Sequence, residues 1–312
     1  MRKNSSALPI LSVWILCVTL FSCDKEKVNK PPVADAGVPQ QITLPKNNVN
    51  LSGSGTDADG TVVSYLWSQK SGPVSSDIIN PASASSQVNF NSAGIYVFQL
   101  MITDDLGATG SDTVSVTVNP PKIDSVNIIA SPSNGYMELS YAGNANSDYT
   151  DPTTPEISAA AWTWNSLPDL LRASFKFDLS SLPQNIKITS AKLSLYSNPN
   201  PINGNLVDAN YGADNSIYIQ RVTGNWDMNS GWFSQPAVTT DDQIVIPHTN
   251  QARLDLIGID VTNMVSAMVS NNYGFMVRLV HEDIPTSRLF CGVRHPDASK
   301  HPSLKITFEY LN

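Results

Sequence analysis

Two tryptophans and three arginines in the second half of the chain have the chemistry needed to hold a sugar. Trp226 and Trp232 lie beside polar loops, and the face of an indole ring can stack on the C–H face of a sugar ring. Arg221, Arg278 and Arg294 carry planar guanidinium groups, which can donate to hydroxyls or pair with a uronate carboxylate. The competing interpretation is structural, with the tryptophans packed in a core and each arginine a solvated strand residue.

Two further pairs of residues have suggestive spacing. Trp162 and Trp164 are two positions apart, so in an extended strand they share a face, either as a sugar platform or as a core anchor. Asp57 and Asp59, followed by Gly60, resemble the start of a calcium loop, because alternating carboxylates can converge on one cation. No later glutamate completes such a loop, and the alternative is a turn capped by aspartate side chains. Calcium is the single cofactor that the sequence brings into consideration.

The N-terminus predicts export and a lipid anchor. Arg2 and Lys3 precede an apolar run, from 7 to 21, that has the length of a signal-peptide core. The run ends in Leu-Phe-Ser-Cys, which looks like a lipobox, so Cys23 is the predicted lipidation site after a signal peptide over 1–22. The alternative is an ordinary secretory signal with Cys23 incidental. Residues 23–30, with a charged stretch that resembles surface-export signals, form the predicted tether.

Charge excludes one class of partner. The chain has 19 Lys and Arg against 27 Asp and Glu, a net charge of −8, and loss of residues 1–22 removes two bases and no acid, giving −10. Phosphate backbones need a basic field, so no nucleic-acid partner is expected. No base lies between Lys122 and Arg172, so a polyanionic sugar would need a local cluster of the arginines that follow.

Paired prolines divide the chain into two β-rich segments. Pro31-Pro32 and Pro120-Pro121 bound residues 31–119, in which short alternating runs separated by turns predict a small β-sandwich. Several motifs in that segment occur in the order found in PKD domains: 34–37, 51–55, 57–61, 65–67, 96–100 and 103–108. The segment thus resembles a PKD domain. The resemblance implies an immunoglobulin-like spacer or contact module at a cell surface, without catalysis.

The second segment, 123–312, predicts another all-β domain. Strands with one apolar and one polar face recur along it, among them 303–310 and the run 172–179, in which Arg172 and Ser174 face away from the apolar side. This pattern favours an antiparallel sandwich of the jelly-roll type with one short helix, which Thr262 can cap. The stretches 172–183, 188–196, 226–232, 259–262, 272–275 and 302–306 are similar to a DNRLRE-type domain. Such domains resemble family 96 carbohydrate-binding modules, some of which bind alginate.

Function follows from these two resemblances together with the residues. No nucleophile elbow, phosphate loop or zinc signature occurs, so no enzymatic activity is expected. The expected function is that of a monomeric, non-catalytic lipoprotein on the extracellular face of the cell, or a secreted protein, which touches the membrane only through its lipid. Its C-terminal module would bind a polysaccharide, with alginate as one candidate. The alternative is a structural or adhesive surface protein that contacts other proteins and has no sugar site.

Overall fold

The computed structural model of the chain describes residues 28–133, 136–144 and 147–311. The predicted signal peptide, Cys23 and residues 24–27 of the tether lie outside the described residues. The described residues form two compact units. One contains the chain up to Gln41 and from Asn48 to Thr117, and the other contains Ile42–Asn47 and the chain from Val118 onward. The predicted boundaries, 31–119 and 123–312, stay a prediction.

The first sandwich is built from short strands separated by turns. One sheet has the order β2–β9–β8–β5, a second has the order β3–β7–β6, and β1 pairs with β4. The strands are β1 (Val33–Asp35), β2 (Gln40–Thr43), β3 (Asn48–Ser52), β4 (Ser54–Thr56), β5 (Val62–Ser71), β6 (Asp77–Ile78), β7 (Ser85–Asn89), β8 (Gly94–Asp104) and β9 (Thr109–Asn119).

Its core follows from alternation along the strands. Tyr96, Phe98, Leu100 and Ile102 are all buried on one face of β8, as the period-two pattern predicts. Trp67 on β5 is buried with them, and its indole Nε1 donates to the carbonyl of Ala84 at 3.3 Å. Trp67 is therefore a core residue of the first sandwich.

The second sandwich also consists of antiparallel strands. They are β10 (Ile123–Ile129), β11 (Met137–Asn144), β12 (Ser147–Asp151), β13 (Glu156–Trp164), β14 (Leu167–Lys176), β15 (Ile186–Leu195), β16 (Asn210–Tyr211), β17 (Ile217–Val222), β18 (Val238–Ile246), β19 (Leu256–Asp260), β20 (Phe275–Leu279), β21 (Thr286–Cys291) and β22 (Ser303–Tyr310). The helix α1 (Thr262–Met268) and the 3-10 helices Trp232–Ser234 and Ala298–Lys300 complete it.

Two sheets of unequal size enclose its core. The smaller has the order β10–β22–β15–β19. The larger runs β16–β21–β13–β14–β20–β17–β18, with β11 paired to β14 and β12 paired to β11. Phe175, Phe275, Phe290, Leu193 and Ile306 are among the buried side chains between the sheets. The expectation of an all-β chain, with an immunoglobulin-like sandwich followed by a β-sandwich of the jelly-roll type, is confirmed, and the second sandwich is a curled one.

The helices of the second sandwich are minor elements. Thr262 is the first residue of α1 and not its cap, and the Asp260 side chain accepts from the Thr262 backbone N–H at 3.1 Å. Among the described residues, none of the helices meets the length and hydrophobicity that a membrane span requires.

Candidate functional site

The outer face of the larger sheet collects polar side chains around β14. Ala173 and Phe175 point into the core, so Arg172 and Ser174 point outward, because successive strand residues alternate. Tyr141 on β11 pairs in register with Arg172, and it lies in a small apolar cluster on this outer side. The outer face is therefore partly apolar, with Arg172 at its centre.

Arg172 is held by a paired ion bridge. Its Nε donates to Glu282 Oε1 at 2.8 Å and its Nη2 donates to Glu282 Oε2 at 2.9 Å, the two-pronged geometry that fixes a guanidinium plane. Both side chains are about three-quarters buried, with 25% and 20% exposure. The guanidinium carbon lies 4.9 Å from the ring centre of Trp232, so the cation rests on the indole face.

Arg278 on β20 lies beside this pair. Ala173 and Val277 are register partners, and Arg172 and Arg278 each lie one position beyond them. The Arg278 guanidinium stands 4.8 Å from the ring centre of Tyr218, and its Nε donates to Gln220 Oε1 at 3.0 Å. Within the described part of the chain, Arg278 forms no ion pair.

These side chains define what is called here the outer-face site: Arg172, Tyr218, Trp232, Arg278 and Glu282. All five are partly exposed. Chemically, the site offers one cation without an acidic partner, two aromatic rings and a carboxylate. That set suits a ligand with an anionic or hydroxyl-rich edge and an apolar face.

Trp232 lies in a loop that is fastened to the sheet. It begins the 3-10 helix Trp232–Ser234, and its backbone N–H donates to Asp148 Oδ1 at 2.6 Å. Asp148 belongs to β12, so the β11–β12 hairpin holds the loop. Gln235 adds a further link, since its Oε1 accepts from Arg172 Nη1 at 3.4 Å.

Trp226 occupies a different kind of position from Trp232. It is 4% exposed, and it packs against Leu139, Val222 and Met276. Its indole Nε1 donates to the carbonyl of Tyr273 at 2.7 Å. In this structure Trp226 is a packing residue that supports the loop, so it offers no open ring face to a ligand.

Arg221 and Arg294 do not join the outer-face site. Arg221 pairs in register with core-facing Phe275, whereas Gln220 pairs with outward-facing Met276, so Arg221 points away from the outer face. Its Nε donates to Asp242 at 2.8 Å. Arg294 donates to the carbonyl of Pro152 at 3.1 Å.

Arg294 instead lines a cavity of about 200 Å³ together with Glu138 and Tyr136. None of the five outer-face residues lines this cavity. The structure therefore does not bring the three arginines together: Arg221 faces the other side of the sheet from Arg278, and Arg294 lies in a turn after β21.

The carboxylates proposed for calcium serve a turn. Asp57 Oδ1 accepts from the backbone N–H groups of Asp59 at 3.0 Å and Gly60 at 3.1 Å, and Asp59 Oδ1 accepts from Lys30 at 3.3 Å. The described residues contain no group of three or more His, Cys, Asp or Glu side chains able to hold a metal ion. The alternative interpretation, a turn capped by aspartate, describes this segment.

Sequence reasoning missed three members of the outer-face site. Arg172 was recognised as an outward strand residue, but nothing singled it out, and Glu282 and Tyr218 were not considered as partners. The sequence pattern that could have pointed to Arg172 was the alternation along β14, which places this side chain on the face turned away from the core. The partner Glu282 is distant in sequence, so only the fold brings the two together.

Comparison with known families agrees with this architecture. A family model described as "K319L-like, PKD domain" matches residues 36–118, and the model of carbohydrate-binding module family 96 matches residues 141–288. The chain is therefore similar to a PKD domain over residues 36–118 and to a family 96 carbohydrate-binding module over residues 141–288. Both are non-catalytic types of domain, and the second indicates a carbohydrate partner.

Curated relatives match over limited stretches. The mouse dyslexia-associated protein KIAA0319-like protein is 28% identical over 219 residues, which is 63% of this chain and 20% of the relative. The rat dyslexia-associated protein KIAA0319 homolog is 40% identical over 110 residues, 34% of this chain and 10% of the relative. The chain thus spans a fifth or less of these relatives.

A solved structure matches the first domain. The solution structure of the PKD domain from KIAA 1837 protein is 31% identical, covers 30% of this chain and 92% of that chain, and has a TM-score of 0.27.

Proposed function

We propose that the chain is a non-catalytic surface lipoprotein whose family 96 domain binds an extracellular polysaccharide through the outer-face site. The observation that carries the proposal is Arg278, a partly exposed arginine with no acidic partner among the described residues, beside the fixed Arg172–Trp232 pair. A polysaccharide that contains uronate residues, as alginate does, supplies the carboxylate that Arg278 lacks.

The role of each residue in the site follows from the hydrogen bonds and ion pairs that it already makes. Arg278 has its two terminal nitrogens to donate to a carboxylate, because among the described residues only its Nε forms a hydrogen bond, to Gln220. Arg172 is already neutralised by Glu282, so it acts as a positioning residue that keeps the Trp232 ring in place. The exposed part of Trp232 and the Tyr218 ring then contact the C–H faces of the sugar.

The test is binding of an alginate-type ligand to arginine variants. We expect Arg278→Ala to weaken the affinity for a mannuronate hexasaccharide about tenfold. Arg278→Lys should retain only part of the affinity, because a lysine lacks the paired N–H donors with which a guanidinium group binds both oxygens of a carboxylate. Binding by the unaltered chain should also weaken with added salt, since the contact is charged and partly exposed.

The matched control is Arg253→Ala, which removes another arginine, one whose Nη2 donates to the Val207 carbonyl. Titration calorimetry with all three variants decides the matter. Equal loss in Arg253→Ala and Arg278→Ala would reduce the effect to net charge and refute the site. No binding of the hexasaccharide by the unaltered chain would refute the uronate proposal itself.

A structural or adhesive role is the second candidate. It is favoured by the burial of Trp226, since a scaffold packs its aromatics inward, and by the PKD domain. An array of alginate, chitin and plant polysaccharides separates the two roles. Binding to none of them would favour protein adhesion.

The proposal includes further features of the whole protein. We expect a monomer that has no catalytic activity and no nucleic-acid partner, and that reaches the membrane only through lipid on Cys23. Incubation with alginate should therefore produce no unsaturated sugar ends.

A further inference from the structure

The hairpin formed by β13 and β14 carries two tryptophans that the outer-face site does not use, the half-buried Trp162 and the exposed Trp164. From their exposure and the charge around them, we propose that this hairpin is a second carbohydrate contact, which stacks on an uncharged sugar ring. The inference rests on the proposed carbohydrate-binding function and adds an uncharged class of ligand to the anionic class proposed for the outer-face site. The residues concerned are Trp162, Trp164, Leu167, Asp169 and Tyr211, called here the hairpin surface.

The hairpin is a well-defined scaffold. Asn165 and Ser166 connect the strands, and both have left-handed φ values, 53° and 65°, as a two-residue type I′ turn requires. Trp164 is paired in register with Leu167 at the end of the ladder. Trp164 is therefore held at the end of a paired hairpin by the ladder and turn.

The exposed rings lie on one side of that ladder. Trp162 and Trp164 share a strand face, and their cross-strand partners, Asp169 and Leu167, share it with them. The Trp162 ring is edge-packed against Tyr211, with ring centres 5.7 Å apart. Trp164 is 72% exposed, Leu167 63% and Tyr211 38%, so this side presents large apolar groups to solvent beside the Asp169 carboxylate.

Charge identifies the kind of sugar. The stretch from Glu156 to Leu171 contains Glu156 and Asp169 and no base, and the next base, Arg172, is neutralised by Glu282. Within the described part of the chain, Asp169 forms no ion pair. A uronate carboxylate here would face Asp169 without a compensating cation, and a like-charge contact is costly.

An uncharged pyranose satisfies both parts of the surface. Its C–H face can stack on the Trp164 ring, and its hydroxyls can donate to the Asp169 carboxylate, which accepts hydrogen bonds. An aromatic ring beside a carboxylate thus suits a neutral sugar better than a uronate, which would be repelled, or an apolar ligand, which has no hydroxyl to donate.

The experiment compares oligosaccharides that differ in charge. The purified chain is titrated with mannuronate hexasaccharide and with four neutral hexasaccharides, of β-1,4-linked mannose, glucose, xylose and N-acetylglucosamine. Mannohexaose matches the mannuronate backbone but lacks its carboxylates. We expect at least one neutral hexasaccharide to bind, and Trp164→Ala to weaken that binding about tenfold while mannuronate binding changes less than twofold.

Two variants serve as controls. Trp164→Phe keeps a ring at the end of the hairpin and should retain most of the neutral binding. Ile257→Ala removes an exposed apolar residue from β19, in the smaller sheet, and should change nothing. Salt should leave the neutral binding unchanged, in contrast to the mannuronate binding.

The outcomes separate this inference from the proposed function. Mannuronate binding that depends on Arg278, with no neutral hexasaccharide bound, overturns the hairpin surface and leaves the outer-face site intact. Neutral binding that survives Trp164→Ala also overturns it. A dimer seen by sedimentation that Trp164→Ala converts to a monomer, with no neutral binding, would assign the surface to self-association and reject the sugar.

Discussion

At the scale of single residues, Glu138 couples stability to pH. It is buried, and its Oε2 accepts from the Tyr136 hydroxyl at 3.1 Å and the Val293 backbone N–H at 3.0 Å. Its Oε1 lies against Gly292 and has no hydrogen-bond partner among the described residues. Burial raises the pKa of this carboxyl from 4.5 to about 7, against the lowering effect of these two hydrogen bonds.

The sign of the pH effect follows from proton binding. Between the unfolded pKa of 4.5 and the folded pKa of about 7, the folded chain holds the proton that the unfolded chain has lost. The contribution of Glu138 to the free energy of unfolding is therefore full below pH 4.5 and falls as pH rises through 7. The total loss is roughly 3 kcal/mol.

Glu138→Gln should abolish this loss, because the amide resembles the protonated acid at every pH. We expect the variant to match the unaltered chain at pH 5 and to be more stable by roughly 2–3 kcal/mol at pH 8, in urea unfolding. The control, Asp124→Asn, changes an exposed carboxylate and should give the same difference at both pH values. A stability difference for Glu138→Gln that does not vary with pH would contradict the prediction.

Arg288 shows why some residues could not be predicted from the sequence. It is fully buried on β21 and donates to the Pro247 carbonyl at 2.7 Å, while its Nε and Nη2 have no partner in the part of the chain that the structure describes. Burial lowers the pKa of its guanidinium to about 10. Burying an arginine without a carboxylate partner is energetically costly, so sequence rules place arginine at the surface and would not predict this position.

At the scale of elements, amphipathic strands were predictable and fully buried ones were not. The sequence predicted residues 303–310 as a strand, and β22 has those bounds because its two faces differ in polarity. All six residues of β21 are buried, as are the first six of β13. With both faces covered, alternation disappears, and neither strand was predicted as such.

The same limit explains the candidate site. Alternation in β14 was correctly predicted and places Arg172 outward. The three arginines that were expected to converge lie on two strands and a loop, and their relative facing depends on sheet order and on the register between β17 and β20. Such features are set by long-range pairing, which local patterns do not contain.

Asp148 is expected to order the loop that carries Trp232. Its side chain accepts from the first backbone N–H of the 3-10 helix, so Asp148→Ala removes a hydrogen bond worth about 1 kcal/mol. We expect the Trp232 amide to exchange with solvent several times faster and mannuronate affinity to fall severalfold, while the chain stays folded.

Asp148→Asn is the matched variant, since its amide oxygen can still accept from Trp232. It should behave nearly as the unaltered chain does in both measurements. If the amide of Trp232 exchanges at the same rate in all three proteins, Asp148 does not hold the loop.

At the scale of the whole molecule, we expect the chain to be tethered by lipid at Cys23. The basis is the sequence alone: a positive start, an apolar run and a cysteine where that run ends. Metabolic labelling with a palmitate analogue should mark the unaltered chain, and Cys23→Ala should lose the label and be released from the membrane. Cys291→Ala is the comparison, and it should keep the label. Equal labelling of Cys23→Ala and the unaltered chain would reject the anchor.

The buried thiol of Cys291 can report how often the second sandwich opens. It is fully buried on β21, burial raises its pKa to about 12, and its Sγ lies 3.7 Å from the Ser197 carbonyl oxygen. A covered and protonated thiol does not react with an alkylating reagent, which attacks the thiolate. Each alkylation of Cys291 therefore records one moment at which β21 has left the sheet. The mass of the peptide that carries it, followed over hours in buffer, would measure how often the folded protein opens under conditions in which it never visibly unfolds.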